Sequence, residues 1–252
     1  MRFEGQRVLV TGASRGIGRV IATRFAAEGA RVGVHFHRDR AAADTVLAAL
    51  DGEDHVLLQA DMGEPAAVRA MVDDAATRLG GLDVLVNNAA VYALAPPDGD
   101  DFDAWAETWR RTLAVNLEGP AHACFTAAAH MRRQGGGRII NISSRGAFRG
   151  EPDAPSYAAS KGGLNSLTQS LAKKLGGCGV LVYAIAPGWV ETDMAAAQLA
   201  GPGGDERRAE SPLGRVARPA DVAATVLFLA SHEAEFLTGN IVDVNGASFL
   251  RM

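Results

Sequence analysis

Short apolar segments alternate along this chain with longer alanine-rich segments, and this alternation limits the fold more than any other feature. The short segments are rich in β-branched residues and end at Gly, Asp or Asn, whereas the longer ones repeat their apolar residues at helical spacing. Wholly apolar strands separated by helices form a parallel sheet that is covered on both faces. The pattern therefore predicts an α/β fold with a doubly wound parallel sheet.

Seven strands and six helices are predicted in regular order. The strands are Arg7 to Val10, Arg31 to Phe36, His55 to Gln59, Val84 to Val86, Arg138 to Ile142, Val180 to Ile185 and Asn240 to Val244. The helices are Gly16 to Glu28, Arg40 to Leu50, Pro65 to Leu79, Asp103 to Arg133, Ser156 to Leu175 and Pro219 to Ala230, and the fourth is long enough for a break near Val115.

The length of 252 residues suits one large domain or two small ones, and we favour a single domain over 1–252 because no Ser- or Pro-rich linker divides the chain. Two segments break the alternation. Residues 92–101 contain two adjacent prolines, which indicates a surface loop. Residues 191–218 are rich in Gly, Ala, Arg and Pro, and a loop of that length in a compact domain predicts a substrate lid.

Composition argues against several classes of partner. The net charge is -4 and like charges form no block, so neither nucleic acid nor an anionic membrane is expected to bind. No apolar stretch precedes the first strand and no run of about 18 apolar residues follows, so we expect no signal peptide, no membrane span and a cytoplasmic location. Cys124 and Cys178 lack metal-ligand spacing and are interpreted as packing residues, and no metal site is expected.

A glycine-rich turn, Thr11 to Gly18, lies between the first predicted strand and the first predicted helix. Glycine permits the tight turn and the close approach of a diphosphate, whose charge the helix N-terminus stabilises. A stray glycine turn would be the alternative, but a strand and a helix on either side favour a Rossmann-like dinucleotide site.

Tyr157 and Lys161 are four residues apart in a predicted helix and share one face of it. An ammonium near a phenol favours the phenolate, so we expect the pKa of Tyr157 to fall from about 10 toward the working range. Such a pair occurs often by chance and is weak evidence alone. Its weight comes from the other motifs around it.

The chain resembles the short-chain dehydrogenase/reductase family over nearly its whole length. The resemblance rests on the glycine-rich turn, Asn87-Asn88-Ala89-Ala90, Asn116-Leu117-Glu118-Gly119, Ser144 thirteen residues before Tyr157, Lys161 and Pro187-Gly188. It implies that the cofactor is bound by Gly12, Ser14, Arg15, Gly16, Ile17, Gly18, His37, Arg38, Asp61, Met62, Asn88, Ala89, Tyr157, Lys161, Pro187, Gly188, Val190 and Thr192. Ala90 departs from the usual glycine, which affects only close backbone packing there.

The resemblance also implies the catalytic roles. Tyr157 would donate the proton, Ser144 would orient the carbonyl oxygen, Lys161 would lower the pKa of Tyr157 and hold the nicotinamide ribose, and Asn116 would fix a relay water near Lys161. Without the tyrosine, Ser144 would be interpreted as a turn former. The role of Asn116 is assigned from the resemblance alone.

The second strand ends without the acidic residue that would accept the ribose hydroxyls of NAD. Instead His37 and Arg38 follow it, and Arg15 lies in the glycine-rich turn, so charge-assisted bonds to the extra phosphate are expected. This predicts a preference for NADP(H), with NAD(H) as the alternative. The alternative interpretation is that both arginines are merely solvated, and Asp39 weakens the preference slightly.

Apolar residues near the expected pocket, Tyr92, Leu94, Phe148 and Trp189, predict a small or medium hydrophobic carbonyl or alcohol substrate. The chain is most similar overall to the 3-oxoacyl-acyl-carrier-protein reductases, which implies a carrier-bound acyl substrate. Gly135 and Cys178 stand where those reductases usually have basic residues, so reduction of other ketones, including secondary metabolites, stays open. A non-catalytic nucleotide sensor and an epimerase or dehydratase are weaker alternatives. The resemblance also implies a homotetramer.

Overall fold

The computed structural model describes residues 1–251. Seven strands of this range form one parallel sheet. The strands are β1 Arg7–Val10, β2 Arg31–Phe36, β3 Val56–Gln59, β4 Val84–Asn87, β5 Gly137–Ile142, β6 Val180–Pro187 and β7 Ile241–Val244. Their order in the sheet is β3-β2-β1-β4-β5-β6-β7, so the winding direction reverses between β1 and β4. Ligands of such sheets bind beyond the carboxyl ends of the strands at this reversal.

Helices connect the strands and cover both faces of the sheet. They are α1 Gly16–Ala27, α2 Arg40–Ala48, α3 Pro65–Leu79, α4 Phe102–Leu113, α5 Gly119–Arg133, α6 Gly146–Arg149, α7 Pro155–Leu175, α8 Ala196–Ala200, α9 Gly204–Ala209 and α10 Pro219–Leu229. The predicted α/β fold with a doubly wound sheet of seven parallel strands is confirmed. Within residues 1–251 we find no helix whose length and apolarity would let it cross a membrane.

Each face of the sheet has its own apolar core. Successive strand residues point to opposite faces, so Val8 belongs to one core and Leu9 to the other. The first core packs β-strand side chains against α1, α2 and α10, with Phe25 and Val226 fully buried. The second packs them against α3, α5 and α7, with Met131 fully buried. The two cores fix the carboxyl ends of the strands, where the site residues lie.

A π-helix, Ala114–Glu118, separates α4 from α5, so the helix predicted from Asp103 to Arg133 is interrupted at Val115, where its length allows a break. π-Helical turns inside α-helices often lie at functional sites. Here the turn contains Asn116. At its end, a side chain on Gly119 would place Cβ only 2.3 Å from the carbonyl oxygen of Met62, so close backbone packing accompanies the irregularity.

The 191–218 segment differs from the irregular loop that its composition suggests. It contains a 3₁₀ turn, Asp193–Ala195, followed by α8 and α9. A backbone bridge between Val190 and Ala217 closes its base. The segment is therefore a folded excursion after β6.

Candidate active site

The glycine-rich turn joins β1 to α1 and requires glycine at more than one position. Gly12 and Gly16 have positive φ angles of +63° and +55°, which L side chains rarely adopt. At Gly18 the backbone is ordinary, but an added Cβ would lie 2.3 Å from the carbonyl oxygen of Gly12. The turn can therefore lie close to a diphosphate only with these glycines in place.

Asn88, directly after β4, fastens the turn from the neighbouring strand. Its amide nitrogen donates to the carbonyl oxygens of Thr11 and Gly12 at 2.9 and 3.1 Å. The Thr11 hydroxyl oxygen in turn accepts from the backbone N–H groups of Asn88 and Ala89 at 2.9 and 3.0 Å. These bonds join the ends of β1 and β4 across the point where the strand order reverses.

His35, in β2, supports the same turn and was not predicted from the sequence. Its Nδ1 accepts from the Gly12 N–H at 2.9 Å, so its Nε2 carries the proton that bonds the Ala60 carbonyl at 3.1 Å. Burial lowers the pKa of His35 to about 4, which keeps the ring neutral in this arrangement. In the sequence His35 is only a polar residue in an apolar strand, and nothing there indicates its partners.

Asp61, after β3, forms a charged cluster with Arg111 and His37. Arg111 Nη2 lies 2.9 Å from the carboxylate and His37 Nε2 lies 3.4 Å from it, while the Gly63 N–H donates at 2.8 Å. Burial opposes ionisation, but the hydrogen bonds from Arg111 and Gly63 hold the pKa of Asp61 below its usual range. Arg111, from α4, was missed because only the fold brings it to β3.

A cleft of about 470 Å³ runs along the carboxyl ends of the strands. Nearly all the residues that the sequence assigns to the cofactor and to catalysis line this one cleft: Gly12, Ser14, Arg15, Gly16, Ile17, His37, Arg38, Asp61, Met62, Asn88, Ala89, Ser144, Tyr157, Lys161, Pro187, Gly188, Val190 and Thr192. Two of the assigned residues, Gly18 and Asn116, are not among the described residues that line the cleft. Gly18, at the end of the turn, is packed against Gly12 and Asn88, and Asn116 bonds Val91.

Asn116 is fully buried and holds the chain beyond β4. Its side-chain oxygen accepts from the Val91 N–H at 2.8 Å, and its amide donates to the Val91 carbonyl at 2.9 Å. A further bond of 3.3 Å reaches the Ser160 hydroxyl, one residue before Lys161. Val91 lines the cleft, so Asn116 fixes part of the cleft wall.

Tyr157 and Lys161 lie one turn apart on α7, as their spacing predicts. The Lys161 ammonium is 5.7 Å from the Tyr157 ring centroid and donates to the Ile142 carbonyl at the end of β5 at 2.7 Å. The Ser144 hydroxyl oxygen accepts from the Gly146 N–H at 3.0 Å. The carboxyl end of β5 therefore supplies both Ser144 and the anchor for Lys161.

The electrostatics of Tyr157 correct one expectation. Burial raises the pKa of Tyr157 to about 12, a hydrogen bond with Ser144 acts in the opposite direction, and the Glu151 carboxylate raises it further. Burial also lowers the pKa of Lys161 to about 8. The expected lowering of the pKa of Tyr157 is therefore not seen in the protein alone, because the loss of water around the hydroxyl is the largest effect on it.

The substrate end of the cleft is more polar than the sequence suggested. Tyr92 packs edge-on against Tyr157, with ring centroids 5.0 Å apart, and Trp189 also lines the wall. Arg145 and Glu151 lie on the same wall. Two residues expected in the pocket do not line the cleft: Leu94, which is 61% exposed, and Phe148, whose ring lies 4.3 Å from the Arg251 guanidinium.

Comparison with known proteins identifies the family. The family model described as Enoyl-(Acyl carrier protein) reductase matches residues 12–247. A 3-oxoacyl-(acyl-carrier-protein) reductase FabG of Staphylococcus aureus is 36% identical over 244 residues, which cover 96% of this chain and 97% of that protein. The chain belongs to the short-chain dehydrogenase/reductase family. It is therefore an NAD(P)-dependent oxidoreductase that acts on a small molecule.

Other members of the short-chain dehydrogenase/reductase family are similar over comparable lengths. A 3beta-hydroxysteroid dehydrogenase of Eggerthella lenta is 37% identical and covers 98% of this chain and 95% of its own length. A short-chain dehydrogenase of Burkholderia cenocepacia, solved with NADP, is 36% identical with a TM-score of 0.90, covering 98% of this chain and 99% of its own. The angucycline C-6 ketoreductase LanV, solved with NADP, is 35% identical with a TM-score of 0.88, covering 98% and 96%.

Proposed function

We propose that this protein interconverts a ketone and its secondary alcohol with NADP(H), and that Tyr157 transfers the proton. The observation that carries the proposal is the common cleft, in which Ser144, Tyr157 and Lys161 lie beyond the glycine-rich turn. A phenol, a hydroxyl and an ammonium on one side of a dinucleotide site are the groups that carbonyl reduction needs.

The residues of the cleft fit a dinucleotide. Gly12 and Gly16 line the cleft, and a Cβ at Gly12 or Gly18 would lie within 3 Å of backbone atoms, so the turn keeps the shape that approaches a diphosphate only with glycine. Asp61 would hold the adenine end, and Pro187, Gly188 and Thr192 would lie along the nicotinamide end. The bound nicotinamide would supply the hydride and, when oxidised, a positive charge beside Tyr157.

The side chains of this chain would handle the proton. The Ser144 hydroxyl would donate a hydrogen bond to the carbonyl oxygen and hold it next to the phenol. As negative charge develops on that oxygen, Tyr157 would transfer its proton to it and become a phenolate, which Ser144 and Lys161 stabilise. Lys161 would then return a proton to Tyr157 from solvent, with Asn116 proposed to fix the relay water.

Removal of the Tyr157 hydroxyl group tests this mechanism. Tyr157→Phe keeps the ring but removes the proton donor, so ketone-dependent oxidation of NADPH should fall by at least a factor of about 100. Tyr92→Phe is the matched control, because Tyr92 is a second phenol whose ring packs against Tyr157. Tyr92→Phe should keep most of the activity. Equal losses in both variants, or an active Tyr157→Phe, would disprove the proton role of Tyr157.

NADP(H) is proposed over NAD(H) because the cations near the end of β2 face the cleft. Arg15 and Arg38 are exposed and line it, and His37 lies 3.4 Å from the Asp61 carboxylate. Both cations can pair with the extra phosphate. Two similar proteins of known structure were solved with NADP. Arg15→Ala should reduce kcat/KM with NADPH more than with NADH. Equal or better efficiency of the wild type with NADH would contradict the preference.

For the substrate we propose a 3-oxoacyl thioester, which the likeness to the Staphylococcus aureus reductase supports. A polar secondary-metabolite ketone is the second candidate, because Glu151 and Arg145 line the substrate end and the ketoreductase LanV is about equally similar. Parallel assays with a 3-oxoacyl thioester on its carrier and with polycyclic aromatic ketones separate the two. Turnover of the thioester alone supports the first candidate.

We also propose a homotetramer in the cytoplasm. Several large apolar side chains are exposed on the surface, among them Phe102 at 72%, Phe125 at 80%, Phe236 at 100% and Leu250 at 74%. Apolar surface of this kind favours association between copies. Sedimentation velocity should give a tetramer, and a species of monomer mass would contradict the proposal.

A further inference from the structure

Arg145 follows Ser144 directly and is a buried cation whose role the proposed mechanism does not explain. Its side chain is only 3% exposed, although arginine keeps its charge at every working pH. A buried charge requires a close partner of opposite sign. The partners of Arg145 therefore show what this position holds together.

Arg145 links four separate parts of the chain. One guanidinium nitrogen lies 2.5 Å from the Glu210 carboxylate and another donates to the Ser248 hydroxyl at 2.6 Å. Its backbone N–H donates to the Pro187 carbonyl at 2.9 Å. The loop after β5, the end of β6, the 191–218 segment and the C-terminal segment thus meet at one residue, the last two through its side chain.

Glu210 belongs to the 191–218 segment and follows α9. Its second oxygen lies 3.5 Å from Arg149, and the next residue, Ser211, donates to the Gly246 carbonyl at 2.7 Å. The N-terminal part of the same segment lines the cleft with Thr192 and Met194. The N-terminal end of the segment thus lines the cleft, and the part around Glu210 is fastened to Arg145, beside Ser144.

We infer that Arg145 is a positioning residue whose ion pair with Glu210 latches the 191–218 segment against the loop that carries Ser144. The latch affects the affinity for the carbonyl substrate more than the affinity for the cofactor, because Thr192 is the one residue of this segment that is assigned to the cofactor. The effect on substrate affinity rests on the proposed function, whereas the latch itself does not.

Charge balance explains why the latch is strong. Two cations, Arg145 and Arg149, face two carboxylates, Glu210 and Glu151, so the cluster is neutral while the segment is closed. If the segment opened, Glu210 would leave and Arg145 would remain buried with one excess positive charge. Glu151 is a poor substitute, since its nearest cation is Arg149 at 3.7 Å. The open state is therefore rare, and apparent substrate affinity falls in proportion to any loss of the closed state.

A double-mutant cycle tests the latch, with Arg145→Met, Glu210→Leu and the double variant. Removing one partner leaves the other charge uncompensated, whereas removing both leaves none, so the two effects should not add. Glu206→Leu is the matched control, because Glu206 lies in α9 and is exposed. Each variant is assayed for the KM of a ketone, kcat, the Kd of NADPH and the rate of tryptic cleavage at Arg207 and Arg215.

Glu210→Leu should raise both the ketone KM and the cleavage rate about tenfold, and the Kd of NADPH should stay within about twofold. In the double variant, the ketone KM and the cleavage rate should both return most of the way to the wild-type values. Glu206→Leu should match the wild type. Additive effects, or faster cleavage in the control as well, would overturn the latch. If the wild type reduces no ketone, the proposed function is contradicted. The cleavage rates still test whether the Arg145–Glu210 pair holds the segment closed, because that assay needs no substrate.

Discussion

Replacing Gly18 by alanine should disable the cofactor turn even though alanine is the better helix former. The added Cβ would lie 2.3 Å from the Gly12 carbonyl oxygen and 2.5 Å from the Asn88 amide nitrogen. Since both neighbours belong to the packed ends of β1 and β4, they must move by roughly 1 Å to restore a normal contact. Asn88 would then lose its bonds to Thr11 and Gly12.

The magnitude follows from three contributions. Overpacking at a rigid site costs about 1–3 kcal/mol, and the two hydrogen bonds of Asn88 contribute about 1 kcal/mol each. The higher helix propensity of alanine offsets this cost by about 1 kcal/mol. The net destabilisation of Gly18→Ala is therefore about 2–4 kcal/mol, and because the distortion lies in the turn itself, NADPH affinity should fall at least about tenfold.

Urea unfolding and a fluorescence titration with NADPH measure the two effects. Gly176→Ala is the matched control, since Gly176 has a helical φ of -55° and no atom lies within 4 Å of an added Cβ. The control should be at least as stable as the wild type and bind NADPH equally well. A Gly18→Ala variant with unchanged stability and unchanged NADPH affinity would refute the reasoning.

Two predictions concern the titration of the active site. Burial chiefly raises the pKa of Tyr157, and the Glu151 carboxylate raises it further, so Glu151→Gln should shift the pH profile of alcohol oxidation toward lower pH; no shift, or an upward shift, would contradict this. Burial lowers the pKa of Lys161 from 10.5 to about 8, so the unfolded chain binds more protons between these pH values. The wild type should therefore gain about 3 kcal/mol of stability relative to Lys161→Met between about pH 8 and pH 10.5, as measured by urea unfolding, and a constant difference would contradict this.

Local sequence signals predicted the strands and most of the helices, and nearly all the residues assigned from them to cofactor and catalysis line the cleft. Each of these signals depends on short-range chemistry. Strands alternate with helices because of apolar periodicity, and the glycines of the turn mark backbone that tolerates no side chain. Tyr157 and Lys161 lie on one face of a helix because they are four residues apart. Their roles remain predictions that the assays above test.

Contacts between segments that are distant in the chain were not predicted from the sequence. Arg111 reaches Asp61 across 50 positions of the chain, and His35 reaches Gly12 across 23. The π-helix around Asn116 also depends on such packing, since its side chain bonds Val91, 25 positions away. A local pattern contains no information on which buried polar group will find which partner.

Apolar periodicity and turn chemistry along the chain specify the parallel α/β fold, the position of the dinucleotide turn and the types of residue near Tyr157. The raised pKa of Tyr157 follows from the folded arrangement, because it depends on how much water the fold removes from the hydroxyl. The pairing of Arg145 with Glu210 likewise follows from the fold, since a buried charge requires a partner and this partner is distant in the chain. Periodicity and turn chemistry act over a few residues, whereas desolvation and charge pairing depend on the whole fold.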